Sequence, residues 1–277
     1  MKDSGILSRT VSWYNKGTME FLKSSKRRTL VSELVYIILN VGLAAAVLIV
    51  ILTTQSPLAA IGLVILSKWR VVAVRPRFWV ANIKANLVDT IVGVSIAVLI
   101  GTSAVGVLPV QLLLTALYVG WLLFVKPRSS RAYVAAQAAT AVFFGISALM
   151  TVSYNWPATF VVLGMWVIGY ASSRHVFTSY EESHSSFYSF VWGLIMAELG
   201  WLAYHWTFAY SFGVGAIKVP QAALVGLALS FLAERVYTSY RQHGSVRSQD
   251  VTLPALLSVS IIIVLLTVFN RLGIGSL

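Results

Sequence analysis

SKWRVVAVRPRFWVANIKANLVD, residues Ser67 to Asp89, sets a dense block of positive charge between two long apolar tracts. On both sides of it, apolar runs recur that approach the roughly 20 residues needed to cross about 30 Å of hydrocarbon. With 58% hydrophobic and 11% charged residues in 277, and a mean hydropathy of +0.80, the chain lies outside the soluble globular range. The expected fold class is therefore all-α, a polytopic transmembrane helix bundle. Residues 1–30 read as a cytoplasmic basic arm and residues 31–277 as a single membrane domain.

The arm carries Arg9, Lys16, Lys23, Lys26, Arg27 and Arg28, with Leu7, Val11, Tyr14, Phe21 and Leu22 recurring at helical spacing. That pattern predicts a short amphipathic helix on the membrane surface. The first apolar run, Leu34 to Leu52, is longer than a signal-peptide core and is followed by TTQSP rather than a small-x-small cleavage site, so it reads as the first transmembrane helix.

Ser56-Pro57 then supplies a capping hydroxyl and a proline at the first helical position, where its missing N–H costs nothing. Pro109, Pro157 and Pro220 likewise open apolar runs, which end at Lys126 and Arg128, at Arg174 and at Arg235. Partner helices are expected over roughly 88–105, 132–151 and 186–208. About nine helices result, as four hairpins plus a final helix from about Pro254 to Phe269. The connections Val176–Tyr180 (VFTSY) and Val236–Tyr240 (VYTSY) look alike, as a duplicated hairpin would make them.

Nearly all Lys and Arg fall in the arm and in the connections after the second, fourth, sixth and eighth helices; Lys218 and Arg271 are the exceptions. Short loops with such a bias are cytoplasmic, which puts the N-terminus inside and the C-terminus outside. The net charge of +12 then reflects orientation and anionic lipid rather than nucleic acid. The expected location is a plasma membrane, taken as the bacterial cytoplasmic membrane from the compactness and short loops.

The opening stretch also contains an anomaly. From Pro57 to Lys68 the helix has only about 17 Å to rise, against about 25 Å from Pro109 to Lys126 or from Pro157 to Arg174. Lys68 must snorkel, sit over thinned bilayer or line a wet cytoplasmic cavity. Asn82, Asn86 and Asp89 share one helical face, and Lys68 and Arg70 are close enough in a hairpin to pair with Asp89. With Arg75 and Arg77 flanking Pro76, these residues form a candidate basic vestibule for an anionic solute, a lipid headgroup or an acidic partner. The bland alternative is an interfacial ion pair.

Glu198 stands mid-way along the expected seventh helix. An ionised carboxylate at that depth costs roughly 2.5–3.5 kcal/mol on insertion scales, so it is expected to face the bundle interior, paired or protonated. Trp201 and His205 follow on its face. The three are transport-pathway candidates; a Glu that hydrogen-bonds Asn40 or Gln137 to hold the bundle is the alternative. Glu181, Glu182, His184 and His175 lack a metal motif and read as a solvated loop. The Ala-rich fifth helix reads as a close-packing face.

With no cysteine there is no disulfide or thiolate metal site. No metal site or cofactor is expected: no mid-helix lysine suits retinal, and no pair of histidines at matched depth suits haem. Walker, GxSxG and paired-carboxylate signatures are absent, so an enzyme is not expected. Two functions remain. One is a small-solute permease or exporter coupled to protons through Glu198. The other is a non-catalytic membrane subunit or scaffold whose basic face binds anionic lipid or an acidic protein.

Overall fold

The computed structural model describes residues 30–103, 108–206, 209–212 and 217–267. The arm expected over residues 1–30 lies outside them, Leu30 apart, as do Phe269, Arg271 and the C-terminus. The chain divides between Leu43 and Ala44 into two units. Residues 30–43 of the first unit are helical, and Asn40 bonds only within that helix, its amide donating to the Tyr36 carbonyl at 2.7 Å.

The second unit begins with the remainder of helix α1 (Leu30–Thr54). It continues through α2 (Pro57–Ser67), the single turn α3 (Trp69–Val72), α4 (Trp79–Thr102), α5 (Leu108–Gly120), α6 (Arg131–Val152), α7 (Ala158–Ser179), α8 (Ser185–His205), α9 (Gln221–His243) and α10 (Ser248–Thr267). Eight of these, all but α2 and α3, are long and apolar enough to cross a membrane, consistent with an integral multi-pass membrane protein. The expected second helix does form. Ser56 caps it by accepting the Leu58 N–H at 3.3 Å, and it ends after 11 residues at Ser67.

α6 stands centrally, packed on α4, α7 and α9, while α2 and α5 lie on α4 and α10 lies on α9. Val142 and Ile146 of α6 meet Val161 and Met165 of α7, Met196 of α8 and Ala223 of α9 in the core. The most intimate pair is α7 with α8. Small residues explain this: a Cβ added at Gly169 would lie 3.2 Å from the Gly193 Cα, so the two helices touch backbone to backbone.

Two expectations change. The fold is the expected helical bundle with one short ribbon added: Ala209–Phe212 (β1) and Ile217–Pro220 (β2) pair antiparallel, Tyr210 opposite Val219, ahead of α9. The Gln221 amide ties this ribbon to α10, donating to the Tyr210 hydroxyl at 2.9 Å and the Leu265 carbonyl at 2.7 Å. α10 begins at Ser248, so Pro254 falls inside it. As the seventh helical residue Pro254 lies past the first turn, where its missing N–H leaves the Asp250 carbonyl without its usual helical donor, while the Asp250 carboxylate takes the Ser239 hydroxyl at 2.7 Å. Finally, the small residues of α6 divide: Gly145 packs closely, an added Cβ meeting Ile91 at 3.1 Å and Ile168 at 3.2 Å, while Ala135 and Ala139 border a groove.

Candidate functional site

Asn82, Asn86, Asp89 and Gly93 follow one another along a single face of α4. Gly93 matters for what lies one turn before it. A Cβ there would meet Val64 Cγ1 of α2 at 2.9 Å and the Tyr118 hydroxyl of α5 at 3.0 Å, so its absence lets both neighbours close on α4. Lys68, at the C-terminal cap of α2, then reaches Asp89 Oδ2 with its ammonium group. Lys126 Nζ approaches the same oxygen to 2.9 Å, and the Trp121 indole N–H donates to Oδ1 at 3.3 Å. The side chains of Lys68 and Asp89 are each 12% exposed and that of Lys126 33%.

The meeting of Trp121 and Lys126 depends on a local departure from the α-helix. α5 runs into a π turn over Trp121–Val125, closed by the Lys126 N–H on the Trp121 carbonyl at 2.9 Å. Residues five apart diverge around an α-helix but nearly superpose in a π turn, the form that recurs at functional sites. Gln137 of α6, only 6% exposed, holds the end of this turn: its amide donates to the Val125 and Arg128 carbonyls, each at 2.8 Å. His175 of α7 bonds the other end of that amide, Nε2 to Oε1 at 2.6 Å.

Two ammonium groups and one carboxylate leave a net charge of +1 in a largely enclosed place. Each ammonium has three donors and the indole one, against about four lone-pair sites on the carboxylate, so N–H groups remain that Asp89 cannot satisfy. The Tyr118 hydroxyl is buried nearby with no partner. The arrangement suits an anion. No protein-family model, curated protein or solved structure matches the chain. The chemistry of the cluster therefore carries the functional reading.

Of the expected vestibule, Lys68 and Asp89 come together, and Asn86 lies beside them, its amide donating to the Asn82 carbonyl at 2.9 Å. Arg70, Arg75 and Arg77 stand exposed outside the cluster; the Arg77 guanidinium lies over Phe78, 4.6 Å from the ring centroid. Sequence reasoning missed Trp121, Lys126 and Tyr118. Lys126 was visible as the basic end of an apolar run, but its register on Asp89 depends on the π turn.

Glu198 is placed differently from the expectation. It is exposed, facing away from the helices that pack on α8, and among the described residues it has neither a hydrogen bond nor an ion pair. Gln137, one of its expected partners, bonds His175 instead. Trp201, 52% exposed, lies tilted against His205 with ring centroids 4.5 Å apart, on the same outward face. The reason is packing: Gly193, Met196, Ala197 and Gly200 form the inward face of α8, leaving Glu198 on the other. Among the described residues no group of His, Asp and Glu is placed to hold a metal ion.

The connection expected to be a solvated loop keeps Glu181 and His184 exposed but clasps α9 through Glu182. Glu181 adopts a left-handed φ of 54° after α7, where its N–H and that of Glu182 return to the Thr178 and Phe177 carbonyls at 3.1 and 3.2 Å. Glu182 is thereby aimed at α9: it accepts the Tyr237 hydroxyl at 2.5 Å and lies 3.5 Å from Arg241. The two similar pentapeptides meet here, with Phe177 edge-on to Tyr237 at 4.7 Å and Tyr180 bonded to the Thr238 hydroxyl at 2.8 Å.

The Tyr237 hydrogen bond, helped by the His184 N–H and Arg241, holds Glu182 below the ordinary carboxylate range against the opposing cost of desolvation. A depressed folded-state pKa contributes stability that is present above the ordinary value of about 4.3 and is lost as pH falls through the folded value. Thermal unfolding from pH 7 down to about 3 should therefore show the wild type's advantage over Glu182→Gln shrinking towards acid. A pH-independent difference would remove the clasp's electrostatic role.

Proposed function

We propose that the protein is a membrane carrier for a small anionic solute, bound between Lys68 and Lys126 in competition with Asp89. The observation that supports this reading is the part-buried cluster of two lysines sharing one carboxylate, with more donors than Asp89 can fill. Ionisable groups inside a helical membrane protein belong by default to solute or ion pathways. In the empty site Asp89 binds both ammonium groups; an arriving anion displaces it from one of them. That exchange frees α5 from α2, since the two lysines come from different helices, and gives the anion a differential affinity for two arrangements.

The same reading keeps the basic connections cytoplasmic, with the N-terminus inside and the hairpins crossing a bacterial plasma membrane, because the lysine and arginine bias fits that orientation. The cluster then opens to the cytoplasmic side, and the exposed Arg70, Arg75 and Arg77 raise the local anion concentration around it.

The test is anion flux in proteoliposomes across phosphate, chloride and small carboxylates. Wild type should carry at least one of these, and Lys126→Gln should cut that flux by about tenfold, the loss of one charge-assisted contact. Glu198→Gln should leave it unchanged. A wild type that moves none of the anions above the protein-free background overturns the carrier reading.

Glu198 favours a second reading, a subunit of a larger membrane assembly. Phe187, Val191, Leu194, Glu198, Trp201 and His205 are all exposed and alternate in steps of four and three along α8. Such a stripe with a carboxylate at its middle is how a helix specifies a partner and its register. Crosslinking from Leu194 in native membranes should then capture another membrane helix, and Glu198→Leu should abolish the product.

A further inference from the structure

Asp89 is the middle residue of the 27-residue span Pro76–Thr102, about 20 Å of helix from either end. Two neighbours of α4 change course at its level. An added Cβ at Gly101 would meet Pro57 Cβ at 2.8 Å, and one at Gly93 would meet Val64 Cγ1 at 2.9 Å, so α2 runs antiparallel beside α4 until it is interrupted at Lys68, next to Asp89. α5 also lies antiparallel to α4: the Gln111 amide donates to the Ile100 carbonyl at 3.3 Å and the Trp121 indole to Asp89. It leaves α-helical geometry at Trp121–Val125. Helices interrupted near the bilayer midplane are the places where carriers build their solute sites.

At that depth the charge count decides what binds. Lys68 and Lys126 carry two positive charges against one on Asp89, and among the described residues no third cation and no second carboxylate joins them. One added negative charge makes the group neutral. Two would leave it net negative, and an uncompensated charge away from water is costly. Room is short as well, because Val64 and Tyr118 close over Gly93 one turn from Asp89. Two neutral donors lie there. The Tyr118 hydroxyl is fully buried with no partner, and the Trp121 indole N–H holds Asp89 only at 3.3 Å. Both offer an anion a hydrogen bond without altering the charge count.

We propose that the Lys68–Asp89–Lys126 cluster binds one monovalent anion of a few atoms and exchanges it for another across the membrane. The inference rests on the carrier reading above and narrows its substrate. Loaded, the site is neutral, and with Asp89 displaced from one lysine the helices that carry them are free to shift. Empty, it keeps a net positive charge at mid-span, and Asp89 ties α2 to the end of α5. A charge in that position resists being moved through hydrocarbon. Exchange of one monovalent anion for another therefore runs, while return of the empty site stalls.

Proteoliposomes holding the full chain and loaded with chloride, nitrate, formate or sulfate read this out through uptake of labelled chloride, nitrate and formate. Uptake of at least one of the three should run about tenfold faster against an internal monovalent anion than against internal sulfate, the value of one charge-assisted contact. Asp89→Asn raises the net charge of the cluster by one and should reverse the preference, sulfate then exchanging for sulfate faster than a monovalent anion for itself. Equal uptake with sulfate inside, or carriage of phosphate while chloride, nitrate and formate are refused, would overturn this proposal and leave the carrier reading standing. No uptake of any anion would overturn both. An Asp89→Asn protein that folds and keeps the monovalent preference also overturns the proposal; if that variant does not fold, the wild-type comparison between internal anions decides alone.

Discussion

Asp89→Asn should cost about 3 kcal/mol of stability, the lower end of what breaking a buried ion pair does when one partner is left behind. The amide keeps the shape of the carboxylate but leaves the Lys68 and Lys126 ammonium groups side by side with no counter-charge, in a place where Lys68 is mostly buried. Thermal unfolding in one fixed detergent should show a drop on the order of 10 °C. Removing all three charges is the informative companion. Lys68→Met, Asp89→Leu and Lys126→Met together should recover most of the stability, because an apolar replacement of a whole buried charge group is close to neutral. The triple variant should still move no anion. Stability that stays as low as in Asp89→Asn would mean that the charges hold the helices together rather than serve a solute.

Gly193→Val should be similarly severe for a different reason. A Cβ at Gly193 would lie 2.8 Å from Trp166 Nε1 and 3.1 Å from the Trp166 carbonyl oxygen. The indole can turn away, but the carbonyl belongs to α7, so the helices must separate. Overpacking of this kind costs roughly 1–3 kcal/mol, and valine's extra methyl groups put the expected loss near the top of that range. Gly62, whose added Cβ would meet nothing within 4 Å, is the control: Gly62→Ala should be neutral or stabilising by roughly 0.5–1 kcal/mol through helix propensity. Denaturant unfolding of the two variants beside wild type measures both. An unperturbed Gly193→Val would mean that α7 and α8 are not in backbone contact.

Local rules made much of the helical plan legible. Hydrophobic run length, the Ser56-Pro57 start and the prolines at 109, 157 and 220 depend only on residues close in sequence, and the helices begin where those signals stand. The shortness of the run into Lys68 was equally local, as was the nearness of Lys68 and Asp89 on neighbouring apolar runs. The ribbon at Ala209–Phe212 was not legible, because its four-residue strands are too short to show a period of two against their aromatic content.

The rest depended on contacts between distant segments. Glu198 read as an interior residue because a carboxylate in hydrocarbon is costly, but which side of α8 turns inward is settled by Gly193, Met196 and Gly200 packing on α7. Lys126 reaches Asp89 through a π turn that Gln137 and His175 hold from two other helices, and no pattern within α5 announces it. Run length and charge bias are properties of the chain read one segment at a time, and they suffice to make a many-helix membrane protein. The face each helix presents, and hence the shared carboxylate of Lys68 and Lys126, belongs to side chains up to 86 residues apart that meet only after the helices have packed, as Asp89 and His175 do through Gln137 and the π turn.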